Sequence, residues 1–144
     1  MDLKIKKLCE KAVIPSYGST SAAGADLYSA EDDIVIGAGE TKIVHTGLSM
    51  QIPEGYVGLI YARSGIALKR GLAPANKVGV IDSDYRGEIM VALYNHSDIA
   101  QTVLAGERIA QIVIAPYITV NFTETDELDD TVRGDGGFGS TGTK

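Results

Sequence analysis

The stretch Asn76-Lys77-Val78-Gly79-Val80-Ile81-Asp82-Ser83-Asp84-Tyr85-Arg86-Gly87-Glu88 carries an apolar segment into a polar reversal, and a second apolar segment follows at residues 89–94. Strand, polar turn, strand predicts a β-hairpin. An amide precedes the first strand, carboxylates stand where the chain reverses, and an aromatic ring lies just beyond them. Taken by themselves, Asp82 and Asp84 read as turn residues whose side chains cap backbone N–H groups.

Working outward, the same alternation of short apolar runs and turn signals continues in both directions. Strands are expected around Leu3, Ile5 and Leu8, and at residues 25–28, 34–36, 42–46, 48–52, 56–62, 89–94, 101–104, 108–115 and 117–122. Residues 17–25, rich in Ser, Thr, Ala and Gly, read as a loop. Turn signals recur about every eight to twelve residues, the spacing of a sandwich or barrel. Ser64-Gly65-Ile66-Ala67-Leu68-Lys69-Arg70 is the exception: a serine N-cap and a terminating Gly71 predict one short helix. The expectation is an all-β, jelly-roll-like barrel or sandwich with one short helix and a flexible C-terminal arm. Residues 1–123 form the β-domain. Residues 124–144, an acidic linker and a Gly-rich tail with little apolar surface, form the arm of the same domain.

Composition narrows the function. A chain of 144 residues with 44% hydrophobic and 22% charged residues is long enough to bury a core. A net charge of −6 argues against nonspecific nucleic-acid binding, which needs a basic face. Cys9 is the single cysteine, so no internal disulfide forms, and it reads as a small half-buried residue. No apolar run has the length of a membrane span and the N-terminus lacks a signal-peptide core, so a cytoplasmic location is expected, with the nucleus left open. His45 and His96 have no metal-ligand spacing around them and read as structural. No Ser-His-Asp or Cys-His arrangement is present, which disfavours covalent catalysis.

The tail matches G-x-G-x-x-G through Gly134, Gly136 and Gly139, but no strand leads in and no helix follows, so a dinucleotide fold is excluded. What remains is an arm with a cation (Arg133), a ring (Phe138) and two hydroxyls (Ser140, Thr141), groups suited to stacking on a base and bonding phosphate oxygens. Arg63-Ser64-Gly65 opens the helix, where free N–H groups and a guanidinium suit an anion, or where a plain cap and a surface arginine serve equally well. Arg108, Gln111 and Asp26 are unremarkable in isolation.

Together and in order, five segments resemble the motifs of the trimeric dUTP pyrophosphatases (dUTPases). They are Ala23-Gly24-Ala25-Asp26-Leu27-Tyr28-Ser29, Ala62-Arg63-Ser64-Gly65-Ile66-Ala67, Gly79-Val80-Ile81-Asp82-Ser83-Asp84-Tyr85-Arg86-Gly87, Gly106-Glu107-Arg108-Ile109-Ala110-Gln111, and the tail from Arg133-Gly134 through Gly136-Gly137-Phe138-Gly139-Ser140-Thr141-Gly142. Each is weak alone; their order and spacing are specific. Ala62 departs from the pattern, since many members carry proline there.

The resemblance implies a jelly-roll homotrimer that hydrolyses dUTP to dUMP and pyrophosphate with Mg2+, limiting uracil incorporation into DNA and supplying dUMP for thymidylate synthesis. Three sites would lie at subunit interfaces, with neither nucleic acid nor membrane as partner. Asp82 would orient and deprotonate the attacking water; a carboxylate is a weak base, so positioning weighs more than proton affinity. Main-chain groups at Gly79, Val80 and Ile81, with Asn76, would read uracil, Tyr85 would lie under the deoxyribose, and Met90 would line the same pocket. Arg63, Ser64, Gly65 and Gln111 would hold the phosphates, while Asp26 and Gln111 would reach Mg2+ through water. Phe138 of a neighbouring chain would stack on uracil as Arg133, Gly139, Ser140 and Thr141 close over the phosphates. A dCTP deaminase-like enzyme is the rival on this fold; it typically carries a second serine where Gly65 stands and a catalytic glutamate in the hairpin region. A non-catalytic nucleotide sensor or interaction module is the rival from another class.

Overall fold

The computed structural model describes residues 1–138; Gly139, Ser140 and Thr141 lie outside the described residues. The described elements are, in order, β1 (Lys4–Lys7), β2 (Ser16–Tyr17), β3 (Ala25–Tyr28), β4 (Ile34–Ile36), β5 (Thr41–Gln51), β6 (Tyr56–Tyr61), α1 (Ser64–Arg70), β7 (Leu72–Pro74), β8 (Gly79–Ile81), β9 (Ile89–Asn95), β10 (Gln101–Val103) and β11 (Arg108–Pro116). They form a four-stranded sheet in the order β1-β5-β9-β7, a five-stranded sheet in the order β2-β3-β11-β6-β8, and the pair β10-β4. Every pairing is antiparallel. The architecture is the expected jelly-roll-like all-β fold, and its sheets remain open rather than closing into a barrel.

Alternation explains which faces meet. In β9, Ile89, Val91, Leu93 and Asn95 point inward and are buried, while Met90 faces out. These side chains pack with Leu27, Ile36, Val44, Leu48, Leu72, Ile109 and Ile112 in one core, the period-two pattern of a half-buried strand. Asn95 is the polar member, fully buried. Its Nδ2 donates to the carbonyls of Ile36, Gly37 and Ile99, and its Oδ1 accepts from Ser97 N and Oγ, so both polar atoms of this buried amide are matched.

Four expectations are corrected. First, residues 76–88 do not join a hairpin: β8 pairs with β6 and β9 with β5 and β7, so the reversal carries the chain from one sheet to the other. Second, residues 42–46 and 48–52 form one strand, β5. It pairs with β9 before a bulge at His45–Leu48 and with β1 beyond it. Gly47 sits in that bulge at φ +65°, and a Cβ there would lie 2.6 Å from Cys9 Sγ and 2.9 Å from Ala12 Cβ, so both conformation and space demand glycine. Third, residues 117–122 are not a strand: β11 ends at Pro116, and from Tyr117 to Asp135 the chain is exposed throughout and pairs with no strand. Fourth, Cys9 is exposed rather than half-buried, although its sulfur still rests against Gly47.

The helix falls where the sequence placed it, with one change at its start. Arg63, with extended φ −89° and ψ 132°, is the N-cap and makes no side-chain capping bond, so Ser64 is the first helical residue. Gly71 closes the helix at φ +66°, donating its N–H back to the carbonyls of Ala67 and Ile66, an αL termination. Two turns are too few to be stable alone. Buried Ile66 and the contacts of Arg70 with Glu107, Gln101 and the Thr102 carbonyl anchor them.

Candidate functional site

The first half of the site is a cleft of about 210 Å3 lined by Gly24, Asp26, Arg63, Ser64, Gly65, Arg108 and Gln111, with Gly18 and Ala22 at its edge. Sheet register builds it. Asp26 stands opposite Gln111, and Gln111 opposite Tyr61, so β3, β11 and the end of β6 present neighbouring positions in one row. Asp26 is largely buried and accepts from two arginines: Arg63 Nε to Oδ1 at 2.6 Å and Arg108 Nη1 to Oδ2 at 3.2 Å. Gln111 Nε2 donates to the Ala62 carbonyl at 2.9 Å, fixing the chain just before Arg63. A Cβ on Gly24 would come within 2.4 Å of Gln111 Oε1, so that glycine makes room for the amide.

Two guanidinium groups around one carboxylate leave a net positive corner in an acidic protein. Such a corner suits a polyphosphate. It does not suit a bare divalent cation, since both oxygens of Asp26 are already engaged. Among the described residues no group of three His, Cys, Asp or Glu side chains is placed to ligate a metal. The oxygen donors of Asp26 and Gln111 would suit Mg2+ only through the waters that ion tends to keep.

The second half is a pocket of about 170 Å3 lined by Val80, Ile81, Asp82, Tyr85, Glu88 and Met90. Its floor is the 82–88 reversal, held by its own main chain. Tyr85 N donates to the Asp82 carbonyl at 3.2 Å, and Arg86 Nη1 donates to the carbonyls of Ser83 and Tyr85 at 2.6 and 2.9 Å. Tyr85 Oη donates to the Glu88 carbonyl at 3.0 Å, and the ring lies across Gly87, where a Cβ would meet Oη at 2.3 Å and Cζ at 2.5 Å. Asp82 and Asp84 do not cap neighbouring N–H groups; among the described residues neither carboxylate takes a side-chain hydrogen bond, and both are exposed. Asp82 faces the pocket as a free acceptor.

Asn76 begins the approach to β8. Lys77 adopts φ +65°, and Val78 N bonds back to the Asn76 carbonyl at 2.7 Å, forming a γ-turn. That turn sets Asn76 Nδ2 beside Gly79, so the amide and the start of β8 share one surface. Arg133 and Phe138 are exposed, with Arg133 Nε bonded to the Gly136 carbonyl at 2.8 Å.

The halves do not face each other within one chain. Ile81, next to Asp82, pairs with Gly58 on β6, whereas Arg63 follows the opposite end of that strand. Five residues at about 3.3 Å each separate them by about 16 Å. Arg108 is exposed, as its unremarkable sequence context suggests, but it is also bonded to Asp26, which the sequence did not disclose, and the sequence gave no role to Glu88. A register shift between Arg108 and Ala110 brings Arg108 to the face of Gln111, which strict alternation does not foresee.

Comparison with known proteins shows the family. The family model of dUTPase matches residues 10–142. A deoxyuridine 5'-triphosphate nucleotidohydrolase from Nautilia profundicola is 54% identical over 142 residues, covering 99% of both chains. Its namesake from a Hydrogenobaculum species is 49% identical over the full length of both. Among solved structures, the dUTPase of Staphylococcus bacteriophage 80alpha with dUPNHPP superposes with a TM-score of 0.91 at 30% identity, covering 99% of both chains.

Proposed function

The chain belongs to the dUTPase family, and from that premise we propose that it hydrolyses dUTP to dUMP and pyrophosphate at sites completed between copies of itself in a homotrimer. The observation that carries this reading is the separation of the two halves. Attack at an α-phosphorus needs Asp82 within a water's reach of the phosphate that Arg63, Ser64 and Gln111 hold. A backbone gap of about 16 Å, along the end of β6 and the two residues beyond it, works against that in one chain, and a second copy would remove it by bringing its Asp82 pocket to the first copy's arginine cleft.

In this reading Asp82 accepts a hydrogen bond from a water and aligns it with the bond between the α-phosphorus and the bridging oxygen. The water oxygen bonds to phosphorus, its proton passes to the carboxylate, and the bridging oxygen leaves with the pyrophosphate. Ser64, exposed at the first position of α1, donates to that oxygen, while Arg63 and Gln111 hold the phosphates. Mg2+, when bound, neutralises charge on the phosphate chain. The main chain of Gly79, Val80 and Ile81 with Asn76 reads uracil, and a close backbone leaves no room for a 5-methyl group. Tyr85, pinned to the Glu88 carbonyl, backs the deoxyribose against Met90. Phe138 and Arg133 of another copy, with Gly139, Ser140 and Thr141, cover the base and phosphates. Product dUMP would feed thymidylate synthesis, and removal of dUTP would keep uracil out of DNA.

The deaminase alternative asks for a glutamate free to handle protons. Glu88 has both carboxylate oxygens occupied, by Gly47 N–H and by His45. Incubation with dUTP and with dCTP, with and without Mg2+, tests the reading: pyrophosphate from dUTP that depends on Mg2+ is expected, and ammonia from dCTP or absence of dUTP turnover overturns it.

A further inference from the structure

The bulge of β5 is held by groups that the reaction itself does not use. Glu31 Oε2, from the β3–β4 loop, accepts the His45 N–H at 2.8 Å, and Glu88 Oε1 accepts the Gly47 N–H at 2.8 Å. Glu88 Oε2 meets His45 Nδ1 at 2.9 Å, and Thr46 Oγ1 donates to the Ile89 carbonyl at 2.5 Å. The same Glu88 offers its main-chain carbonyl to Tyr85 Oη. Across the sheet, His45 pairs with Met90. Two walls of the nucleoside pocket, Tyr85 and Met90, are therefore referenced to one clasp on the β5 bulge.

We propose that Glu88 is a positioning residue for the nucleoside pocket, and that its pairing with His45 makes the hold on the sugar pH-sensitive. The inference rests on the dUTPase reading, since it assigns Tyr85 and Met90 to the nucleoside. The carboxylate fixes the Glu88 main chain against β5, that main chain fixes the Tyr85 hydroxyl, and the ring then stands at a set height over Gly87. A ring held there admits a 2'-deoxy carbon and excludes a 2'-hydroxyl; a ring free to swing does so less well.

The groups around His45 agree on the sign. Glu88 faces it from the segment before β9 and Glu31 from the β3–β4 loop, with uncharged Met90 opposite and Cys9 against the neighbouring Gly47. Lys11 is paired with Asp32 at 2.6 Å and so adds little positive charge to this corner. The hydrogen bond to Glu88 raises the His45 pKa above its ordinary 6.5, burial opposing and the charges of Glu88 and Glu31 adding. The clasp is charge-assisted when His45 is protonated, and it weakens as pH rises through that raised value.

The test compares the full-length protein with Glu88→Ala, Glu88→Gln and His45→Gln, measuring kcat and KM for dUTP and kcat/KM for UTP from about pH 6 to about pH 9, the range in which a histidine titrates. Glu88→Ala is expected to raise KM for dUTP about ten-fold with kcat little changed, and to narrow the preference for dUTP over UTP by a similar factor. Glu88→Gln, whose amide oxygen still accepts the Gly47 N–H, restores most of both. Wild-type KM rises about three-fold across the pH range, the scale of a partly exposed ion pair, and His45→Gln flattens that rise. If Glu88→Ala does not fold, Glu88→Gln and His45→Gln carry the test through the pH profile. A wild-type enzyme that hydrolyses dUTP with flat KM, or variants with unchanged sugar preference, overturns the clasp and leaves the dUTPase reading standing. Absence of dUTP turnover in the wild type overturns both.

Discussion

Asp26 accepts the Nε proton of Arg63 at 2.6 Å while standing directly opposite Gln111 across the β3–β11 pairing. Its side chain keeps 11% of its surface exposed, against 24% for Arg63 and 51% for Arg108. Removing the carboxylate therefore frees two cations to repel each other where one had been matched. Asp26→Ala is expected to lower unfolding free energy by about 1–3 kcal/mol, the range for losing charged hydrogen bonds in a partly wet setting. The same variant misplaces Arg63, so KM for dUTP rises. Urea unfolding and steady-state kinetics on one preparation check both; unchanged stability would show that the Asp26 pairs contribute nothing net.

Asp82 makes the opposite case, an exposed acid on which no fold contact depends. Asp82→Asn keeps the shape and an amide oxygen that can still accept, but it removes the negative charge and the basic oxygen that takes the proton of the water. Turnover of dUTP is expected to fall by about 10²–10⁴-fold, the usual range for a positioned acid–base group. Unfolding midpoint and affinity for a non-hydrolysable dUTP analogue stay near wild type. A variant retaining near wild-type turnover would remove Asp82 from the mechanism.

What the sequence disclosed and what it hid divide along physical lines. The helix at 64–70 was legible because its end is a local event: Gly71 alone takes the αL conformation that closes it. Most strands were legible because alternation is local too. Partners were not: the 76–88 segment has every local mark of a hairpin, yet β8 and β9 join different sheets, and no periodicity names a partner. Bulges hid the rest. A shift between Arg108 and Ala110 sends Arg108 into the cleft, and Gly47 lets one long strand look like two. The order of the motifs singled out Asp26, Arg63, Gln111, Asp82 and Tyr85; Glu88, which acts through a carbonyl and a neighbouring strand, carries no such mark.

Gly87 gives a prediction of space alone. Its φ is not in the left-handed region, but a Cβ would overlap the Tyr85 hydroxyl. Gly87→Ala should therefore fold normally and push the ring off the Glu88 carbonyl. The preference for dUTP over UTP is expected to drop by about ten-fold while stability shifts by less than about 1 kcal/mol. Loss of folding instead of loss of sugar preference would mean the ring serves the fold.

The His45–Glu88 pair also sets a pH dependence of stability. A folded pKa raised above 6.5 means that the native state holds its proton more tightly than the unfolded chain. The contribution is complete below pH 6.5 and is lost as pH climbs through the raised value. With His45 47% exposed and Glu88 23% exposed, solvent screening limits it to about 0.5 kcal/mol. The difference in unfolding free energy between wild type and His45→Gln should shrink by that amount on the alkaline side. A difference that grows with pH would reverse the sign of the argument.

The chain after Pro116 supplies the last prediction. Ile118, Phe122, Leu128, Val132 and Phe138 are all strongly exposed, a run of large apolar groups that a single chain leaves in water at a cost. In the proposed trimer this segment lies on neighbouring copies and delivers Arg133 and Phe138 to a site built by others. Removing residues from Arg133 onward takes away the ring and the cation but spares Ile118, Phe122 and Leu128. The truncated protein should keep the mass of the full-length assembly by light scattering, while dUTP turnover falls by about 10²-fold through loss of closure and alignment. Mixing it with an Asp82→Asn variant that retains its tail should restore part of the activity, because a mixed trimer contains sites that draw an intact tail and an intact Asp82 from different chains. Full activity in the truncated protein would refute the role of the tail, and a mixture no better than its parts would argue against sites shared between chains.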